Sequence, residues 1–81
     1  MAKFLILKIS NRYHQGVKLQ EILTEYGCEI KTRLGIHETG EEYCSAEGII
    51  VLELIGEKRK LDELQKKLGE LDGVTMKYVE I

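Results

Sequence analysis

Several residue types that mark common classes of protein are scarce or missing in this sequence. Its 81 residues include no proline, no tryptophan and two cysteines, Cys28 and Cys44. Two cysteines do not make a disulfide framework, so we expect free thiols in a reducing, cytoplasmic compartment. The eight glycines are scattered and form neither G-x-x-x-x-G-K-[ST] nor G-x-G-x-x-G, which argues against a phosphate-binding loop.

An excess of positive charge and a long apolar run are also absent. Asp and Glu number 14 against 12 Lys and Arg, for a net charge of −2, whereas a nucleic-acid-binding protein needs a basic face. No apolar run approaches the roughly 20 residues of a membrane span. The opening stretch, MAKFLILKIS, has four consecutive apolar residues before Lys8, which predicts a strand rather than a signal peptide. We therefore expect neither nucleic acid nor membrane as a partner.

The chain length sets the size of the fold. Eighty-one residues leave no room for two hydrophobic cores, so we predict one domain, residues 1–81. A domain of this size buries roughly 60% of the surface of its unfolded chain, and its stability is correspondingly small. Association with another chain would increase that stability.

Hydrophobic periodicity predicts the order strand, helix, strand, strand, helix, strand. The four strands are predicted at residues 3–10, 28–36, 48–55 and 74–81, with a polar loop over residues 37–48. Apolar residues at helical spacing mark the two helices: Leu19, Ile22, Leu23 and Tyr26 in the first, and Leu61, Leu64, Leu68 and Leu71 in the second. Alternation along the second strand predicts that Cys28 points into the core and that Arg33 lies on the opposite, exposed side.

This order of elements predicts an α+β fold, the ferredoxin-like βαββαβ sandwich. The segments LQEILTEYGCEI and LQKKLGELDGVT echo each other as helix, glycine and strand, as expected for two βαβ halves. In this fold a four-stranded antiparallel sheet carries both helices on one face. We expect the first and third strands, which are nearly continuous in apolar residues, to be central, and the charged second and fourth strands to be edges.

Large apolar residues are left over once one face of the predicted sheet is assigned to the helices. The other face receives a patch of side chains that nothing in the chain covers: Phe4, Ile6, Ile49, Val51 and Ile55. Leaving them in water would forfeit several kcal/mol at about 25 cal/mol per Å², so we predict a homo-oligomer, in the first place a dimer, that buries this patch. We also expect Lys8 and Glu53 to pair across the two central strands.

Sulfur and imidazole side chains offer a candidate metal site. Cys28, His37 and Cys44 could bind zinc, nickel or iron, but their spacing, Cys-x8-His-x6-Cys, matches no compact ligand motif. Acidic residues surround Cys44, and negative charge raises a thiol pKa rather than lowering it. We therefore predict that the protein is not an enzyme and needs no cofactor, with the metal site as the alternative.

Three further residues are candidates for binding a small ligand. Gly16 lies at the predicted start of the first helix, where backbone N–H groups could hold a carboxylate. Arg33 could hold an anion or a carboxylate of a partner, and Gly35 follows it in the same strand. In the alternative interpretation Gly16 eases a tight turn and Arg33 is a solvated edge charge.

Several segments resemble one known family. EILTEYG, RLGI and the closing L-x-x-L-x-G-V are similar to the iron-only hydrogenase system regulators, which are small stand-alone domains related to the ACT fold and to the C-terminal fold of the nickel-responsive repressor. The resemblance extends over nearly the whole chain. It departs from ACT domains at the first strand–helix turn, where they often carry Pro-Gly and this chain has Gly16 alone. It implies an ACT-like fold that oligomerises through its sheet and senses a ligand without catalysis.

The sequence therefore predicts a non-catalytic, regulatory domain that binds a small-molecule effector at a homo-oligomer interface. One alternative is a metal-binding sensor that uses the two cysteines and His37. Another is an interaction module whose open sheet face docks onto a different protein.

Overall fold

The computed structural model describes residues 1–10, 16–39 and 44–81, and side chains within residues 1–10, 17–35 and 48–81. Two helices and four strands follow one another in the expected order. They are β1 (Lys3–Ile9), α1 (Gly16–Glu25), β2 (Ile30–Thr39), β3 (Cys44–Leu54), α2 (Lys58–Gly69) and β4 (Val74–Glu80), with a short 3-10 turn at Gly27–Glu29 before β2. In the part of the chain that is described, neither helix has the length and apolar character needed to cross a membrane.

The four strands form one antiparallel sheet in the order β2-β3-β1-β4. This is the strand order of the ferredoxin-like α+β sandwich, and it confirms the predicted fold class. The apolar strands β1 and β3 are central, and the charged strands β2 and β4 are the edges, also as predicted. Edge charges discourage open-ended pairing with further strands.

The hydrophobic core lies between the sheet and the two helices. Leu5 and Leu7 of β1 and Leu52 of β3 are fully buried on the helix side of the sheet. The helical residues predicted from periodicity complete this core, and all eight are buried: Leu19, Ile22, Leu23, Tyr26, Leu61, Leu64, Leu68 and Leu71. Periodicity predicted the buried helix faces correctly because each helix packs against the sheet on one side only and therefore buries a single apolar stripe.

The hairpin of β2 and β3 is longer than the sequence predicts. The polar segment 37–48 was expected to be a loop, but the backbone of His37 pairs with Gly48 and that of Thr39 with Cys44. β1 pairs with β3 only as far as Gly48, so the end of the hairpin extends beyond the central strand. The pattern of hydrophobic residues does not predict this extension, because polar residues form backbone hydrogen bonds as well as apolar ones do.

A register shift at the start of β2 reverses the predicted sides of this strand. Ile30 pairs with Leu54 and Thr32 pairs with Glu53, so two residues of β2 advance for one residue of β3. The extra residue makes a β-bulge, which moves every later side chain of the strand to the other face. Arg33 therefore lies on the helix side of the sheet, and Leu34 on the side without helices.

The prediction that Cys28 points into the core is wrong. The residue lies in the 3-10 turn before β2, and it is exposed. Ile30, the first residue of β2, does pack against the buried cluster. The 3-10 turn after α1 includes Cys28 and Glu29, which the sequence pattern assigned to the beginning of the strand.

Candidate functional site

Both described helices pack on the same side of the sheet, and we call the other side the open face. Ile6 is 37% exposed there and Leu34 is 54% exposed, while Phe4, Ile49 and Val51 are half-buried. The strand pairings arrange the open face in three rows that cross β2, β3, β1 and β4. Where side chains are described, these rows are Ile49, Lys8 and Thr75; Leu34, Val51, Ile6 and Lys77; and Thr32, Glu53, Phe4 and Val79. Four of the predicted oligomer residues, Phe4, Ile6, Ile49 and Val51, thus share one surface, and Ile55 follows directly after β3 and is exposed.

The predicted ion pair between Lys8 and Glu53 within one chain is wrong. In the antiparallel register Lys8 lies opposite Ile49, and Glu53 lies opposite Phe4, so the two charges are at opposite ends of the open face. Glu53 instead has Lys31 Nζ at 3.9 Å and accepts a hydrogen bond from the Thr32 hydroxyl at 3.5 Å. Both distances are at the long limit for such interactions, and the Glu53 carboxylate is weakly held within its own chain.

The three ligand candidates lie on α1 and β2, and one described side-chain hydrogen bond joins these two elements at a corner of the protein. The Arg33 guanidinium donates a hydrogen bond from Nη2 to Gln20 Oε1 at 2.8 Å. Gln20 is four residues from Gly16, where α1 begins, which corresponds to about 6 Å along the helix. Gly35 lies two residues beyond Arg33 on the same side of β2, and a Cβ atom added there would meet nothing within 4 Å. The corner therefore combines a fixed cation, a helix start and open space.

A broad depression of about 800 Å³ runs along α1 beside this corner. It is shallow, and the described residues that border it are exposed residues of α1, two of them carboxylates: Val17, Gln20, Glu21, Thr24 and Glu25. Gln20 both lines the depression and holds Arg33, so the guanidinium and the depression are neighbours. Because Arg33 lies on the helix side of β2, a ligand there would border an interface made by the open face rather than fill it.

The backbone places the alternative metal ligands at different points of the β2–β3 hairpin. Cys28 precedes β2, whereas His37 lies toward the other end of that strand and Cys44 begins β3 beside Thr39. From Ile30 to His37 the strand passes six residues of its partner β3, from Leu54 to Gly48, which is about 20 Å at about 3.3 Å per residue. No cluster of three metal-binding side chains is found among the described residues. Cys28 is therefore well separated along the backbone from His37 and Cys44, whose side chains lie outside the described ones, and the metal site stays a prediction.

A polar cluster joins the two helices on the side of the protein away from the open face. Lys67 of α2 forms an ion pair of 2.7 Å with Glu25 of α1, and its ammonium lies 5.3 Å from the centre of the Tyr26 ring. The Tyr26 hydroxyl donates to Glu63 at 3.4 Å. The hydrogen bond to Glu25 is the main reason that the pKa of Lys67 is raised. These groups bind one another, so the cluster holds the two helices together.

Sequence reasoning missed the residue that orients Arg33. Gln20 directly follows the buried Leu19, so helical periodicity puts it at the border of the buried stripe of α1. That signal was available, but the strand that Gln20 faces depends on the sheet order and on the bulge in β2. Leu34 was missed as an open-face residue for the same reason.

The strongest pKa shift in the described part of the chain is at Tyr78 on β4. Its hydroxyl donates a 2.7 Å hydrogen bond to Glu80 Oε1. This bond, followed by partial loss of water and by the negative charges of Glu80 and Asp62, raises the pKa of Tyr78 from 10.0 to about 12. Because the folded-state pKa lies above the unfolded value, the stabilisation is complete below about pH 10 and is lost as the pH rises toward 12.

We expect the Glu80→Gln substitution to lower the pKa of Tyr78 toward its ordinary value, since the neutral amide carries no charge that opposes ionisation of the phenol. Ultraviolet titration of tyrosine between pH 9 and 12.5, with Tyr78→Phe to identify the signal, measures the shift. Glu70→Gln, at an exposed carboxylate on the far side of α2, is the control. An unchanged Tyr78 titration in Glu80→Gln would contradict the assignment.

No protein-family model matches the sequence, and no curated protein matches it. Among solved structures, the uncharacterized protein TM1266 from Thermotoga maritima has 26% sequence identity and a TM-score of 0.80, and the similarity covers 96% of this chain and 92% of that one. The two proteins therefore share their fold over nearly their full lengths.

Two more distant structures share the fold alone. A formyltetrahydrofolate deformylase from Pseudomonas putida KT2440 has 11% identity and a TM-score of 0.59, and the match covers all of this chain but 29% of the enzyme. CPII from Thiomonas intermedia K12, bound to ADP, AMP and acetate, has 11% identity and a TM-score of 0.52 over 99% of this chain and 87% of CPII. The fold thus occurs both as part of a longer enzyme chain and as most of a small ligand-binding protein.

Proposed function

We propose that this protein is a non-catalytic regulatory domain that self-associates and binds a small anionic effector. The proposed effector site is the corner between α1 and β2, with Arg33, Gly35 and the start of α1 at Gly16 as its residues. The observation that carries this proposal is the 2.8 Å hydrogen bond between Arg33 and Gln20. It holds an exposed guanidinium in one orientation beside an open depression, which reduces the entropy lost on binding.

The chemistry of the corner suits a phosphate or carboxylate group. A guanidinium presents a planar set of N–H donors that fits such groups with two parallel hydrogen bonds. The backbone N–H groups of the first turn of α1 add a positive partial charge. CPII, which shares the fold, was found with ADP, AMP and acetate, all of which are anions. These three compounds are accordingly the first effectors to test.

The position of the corner suggests how effector binding and self-association could influence each other. Arg33 and Gly35 face the helix layer, while Leu34 between them lies on the open face and is 54% exposed. A ligand that orders Arg33 would also order the backbone that presents Leu34. Coupling of this kind works in both directions, so the oligomer should bind the effector more tightly than the monomer does.

Arg33→Ala should weaken effector binding by roughly 10- to 100-fold, the effect of losing hydrogen bonds to a charged group worth about 1.5–3 kcal/mol. Isothermal titration with AMP, ADP and acetate measures it. Arg33→Lys keeps the charge but loses the planar donor set and should bind with intermediate affinity. Arg59→Ala removes an exposed guanidinium from α2 and should leave affinity unchanged.

Two outcomes would count against this site. Failure of all three compounds to bind the wild-type protein at millimolar concentration would contradict the anionic effector. Binding that is equally strong in Arg33→Ala would place the effector elsewhere on the protein.

We further propose, from the resemblance of EILTEYG, RLGI and L-x-x-L-x-G-V, that the regulated process is the iron-only hydrogenase system. Because the net charge of −2 argues against nucleic acid as the direct partner, control would be exerted through another protein. Hydrogenase activity in cells that lack this protein tests the proposal, and activity equal to that of normal cells under all growth conditions would overturn it.

A further inference from the structure

On the two central strands, the apolar residues of the open face are interrupted by two charges, Lys8 and Glu53, whereas the third charge of this face, Lys77, is on the edge strand β4. Ile6 of β1 pairs with Val51 of β3. Lys8 is two residues beyond Ile6, and Glu53 is two residues beyond Val51. Because the strands run in opposite directions, Lys8 and Glu53 lie on opposite sides of the Ile6–Val51 pair and at equal distances from it.

These two charges are too far apart to pair within one chain. Neighbouring strands are about 4.8 Å apart and each residue advances about 3.4 Å, so the Cα atoms of Lys8 and Glu53 are about 14 Å apart. Lys8 is exposed, and the side chain of Glu53 is 28% exposed with long contacts to its neighbours. The open face therefore presents a positive and a negative group at matched positions.

We propose that two copies of this chain pack open face to open face about a twofold axis over the Ile6–Val51 pair. The axis lies between the two sheets and perpendicular to the line from Lys8 to Glu53. Each Lys8 then lies opposite the partner's Glu53, and the two ion pairs are equivalent by symmetry. Ile6 and Val51 meet their own copies at the axis. This proposal deepens the self-association in the proposed function by defining the interface.

The strand directions that result agree with known sheet packing. With the same spacings, this axis sets the strands of one sheet at about −40° to the strands of the other. The sign is negative because βαβ crossovers are right-handed. Aligned sheets pack at about −30° and about 10 Å apart, a gap that the side chains of a lysine and a glutamate can span together.

Simpler axes bury the charges against apolar side chains. An axis parallel to the strands puts Lys8 over the partner's Ile49 and Glu53 over the partner's Phe4. An axis perpendicular to the strands puts Lys8 over the partner's Phe4 and Glu53 over the partner's Ile49. Either arrangement takes two unpaired charges per subunit out of water, which is strongly unfavourable. Charge complementarity therefore favours the proposed axis, which is perpendicular to the line from Lys8 to Glu53.

The size of the open face also fits a second copy. Four strands are about 19 Å wide and seven residues are about 24 Å long, which gives roughly 450 Å² of flat area per subunit and roughly 900 Å² for a pair. Side chains make each surface rougher than a flat sheet, so the buried area is larger than this flat area and approaches the low end of stable interfaces, about 1,200 Å². We therefore expect a dimer that dissociates at measurable concentrations.

Charge reversal tests the interface by analytical ultracentrifugation. Lys8→Glu places two glutamates opposite each other, and Glu53→Lys places two lysines opposite each other, so each variant alone should dimerise at least about 10-fold more weakly than wild type. An equimolar mixture of the two variants restores both ion pairs between unlike subunits. It should form a heterodimer with an affinity within about threefold of wild type, as should the double variant with itself.

Lys66→Glu, an exposed charge reversal on α2, is the matched control and should dimerise like wild type. Folding of every variant is checked by circular dichroism, and heterodimer formation itself requires both variants to be folded. A wild-type dimer that neither reversal weakens, or variants that fail to recover on mixing, would overturn this geometry while leaving self-association intact. A wild-type protein that stays monomeric at several hundred micromolar would overturn the self-association as well.

Discussion

Replacing Leu7 by alanine is expected to lower the free energy of unfolding by about 2–5 kcal/mol. Leu7 is fully buried on the helix side of β1, between Ile50 of β3 and Met76 of β4 in the sheet register. Removing three carbon atoms leaves a cavity that the surrounding leucines cannot fill without moving from their preferred rotamers. Since a small domain has only about 5–15 kcal/mol of stability in total, this single change removes a large part of it.

Urea unfolding followed by circular dichroism measures the loss, as a lower midpoint with an unchanged slope. Val17→Ala is the control because Val17 is 76% exposed on α1, and alanine is at least as good a helix former. Its effect should stay within about 0.5 kcal/mol. A Leu7→Ala protein that unfolds at the wild-type midpoint would show that the core does not lie where the structure places it.

Replacing Val51 by aspartate should prevent self-association, with a dissociation constant raised by at least about 100-fold. Val51 is half-buried on the open face beside Ile6, and at the proposed axis two aspartates would meet without a positive partner. Burying unpaired carboxylates costs several kcal/mol, and 2.7 kcal/mol already corresponds to a factor of about 100.

The monomer should keep its fold, because Val51 points away from the core and aspartate in a half-exposed strand position costs on the order of 1 kcal/mol. Sedimentation velocity over a range of concentrations, together with circular dichroism, separates the two effects. Thr24→Asp adds the same charge to the exposed side of α1 and should associate like wild type. If the Val51→Asp protein associates as wild type does, the open face is not the interface.

The same substitution also shows how stability depends on association. A dimer that binds only folded chains raises the apparent stability as protein concentration rises. The melting temperature of the wild-type protein should therefore increase with concentration, whereas that of the Val51→Asp protein should not. Differential scanning calorimetry at several concentrations measures this difference.

The faces of the two helices and of the central strands could be read from the sequence. Leu5, Leu7 and Leu52 alternate with open-face residues at a period of two, and the helical leucines recur at a period near 3.6. Both periods follow from the geometry of an isolated helix or strand. The composition of the open face, and hence the expectation of a second copy, followed from the same alternation.

The candidate ligand site was predicted only in part. The grouping of Gly16, Arg33 and Gly35 in one site stays a prediction, whereas Arg33 is on the side of β2 opposite to the one predicted and is oriented by Gln20, which the sequence did not indicate. One extra residue at the bulge between Ile30 and Thr32 reverses every later side chain of the strand. The bulge depends on how β2 meets β3, and no local pattern in β2 reports it.

The amino-acid sequence by itself determined the order of the elements, the fold class and the apolar character of both sheet faces, because these depend on local periodicity. Only the tertiary structure decided the register of β2, the contact between Arg33 and Gln20, and the separation of Lys8 from Glu53. Each of these depends on which residues of two distant segments lie side by side. That pairing is set by the packing of the whole sheet and its helices, and it leaves no trace in either segment alone.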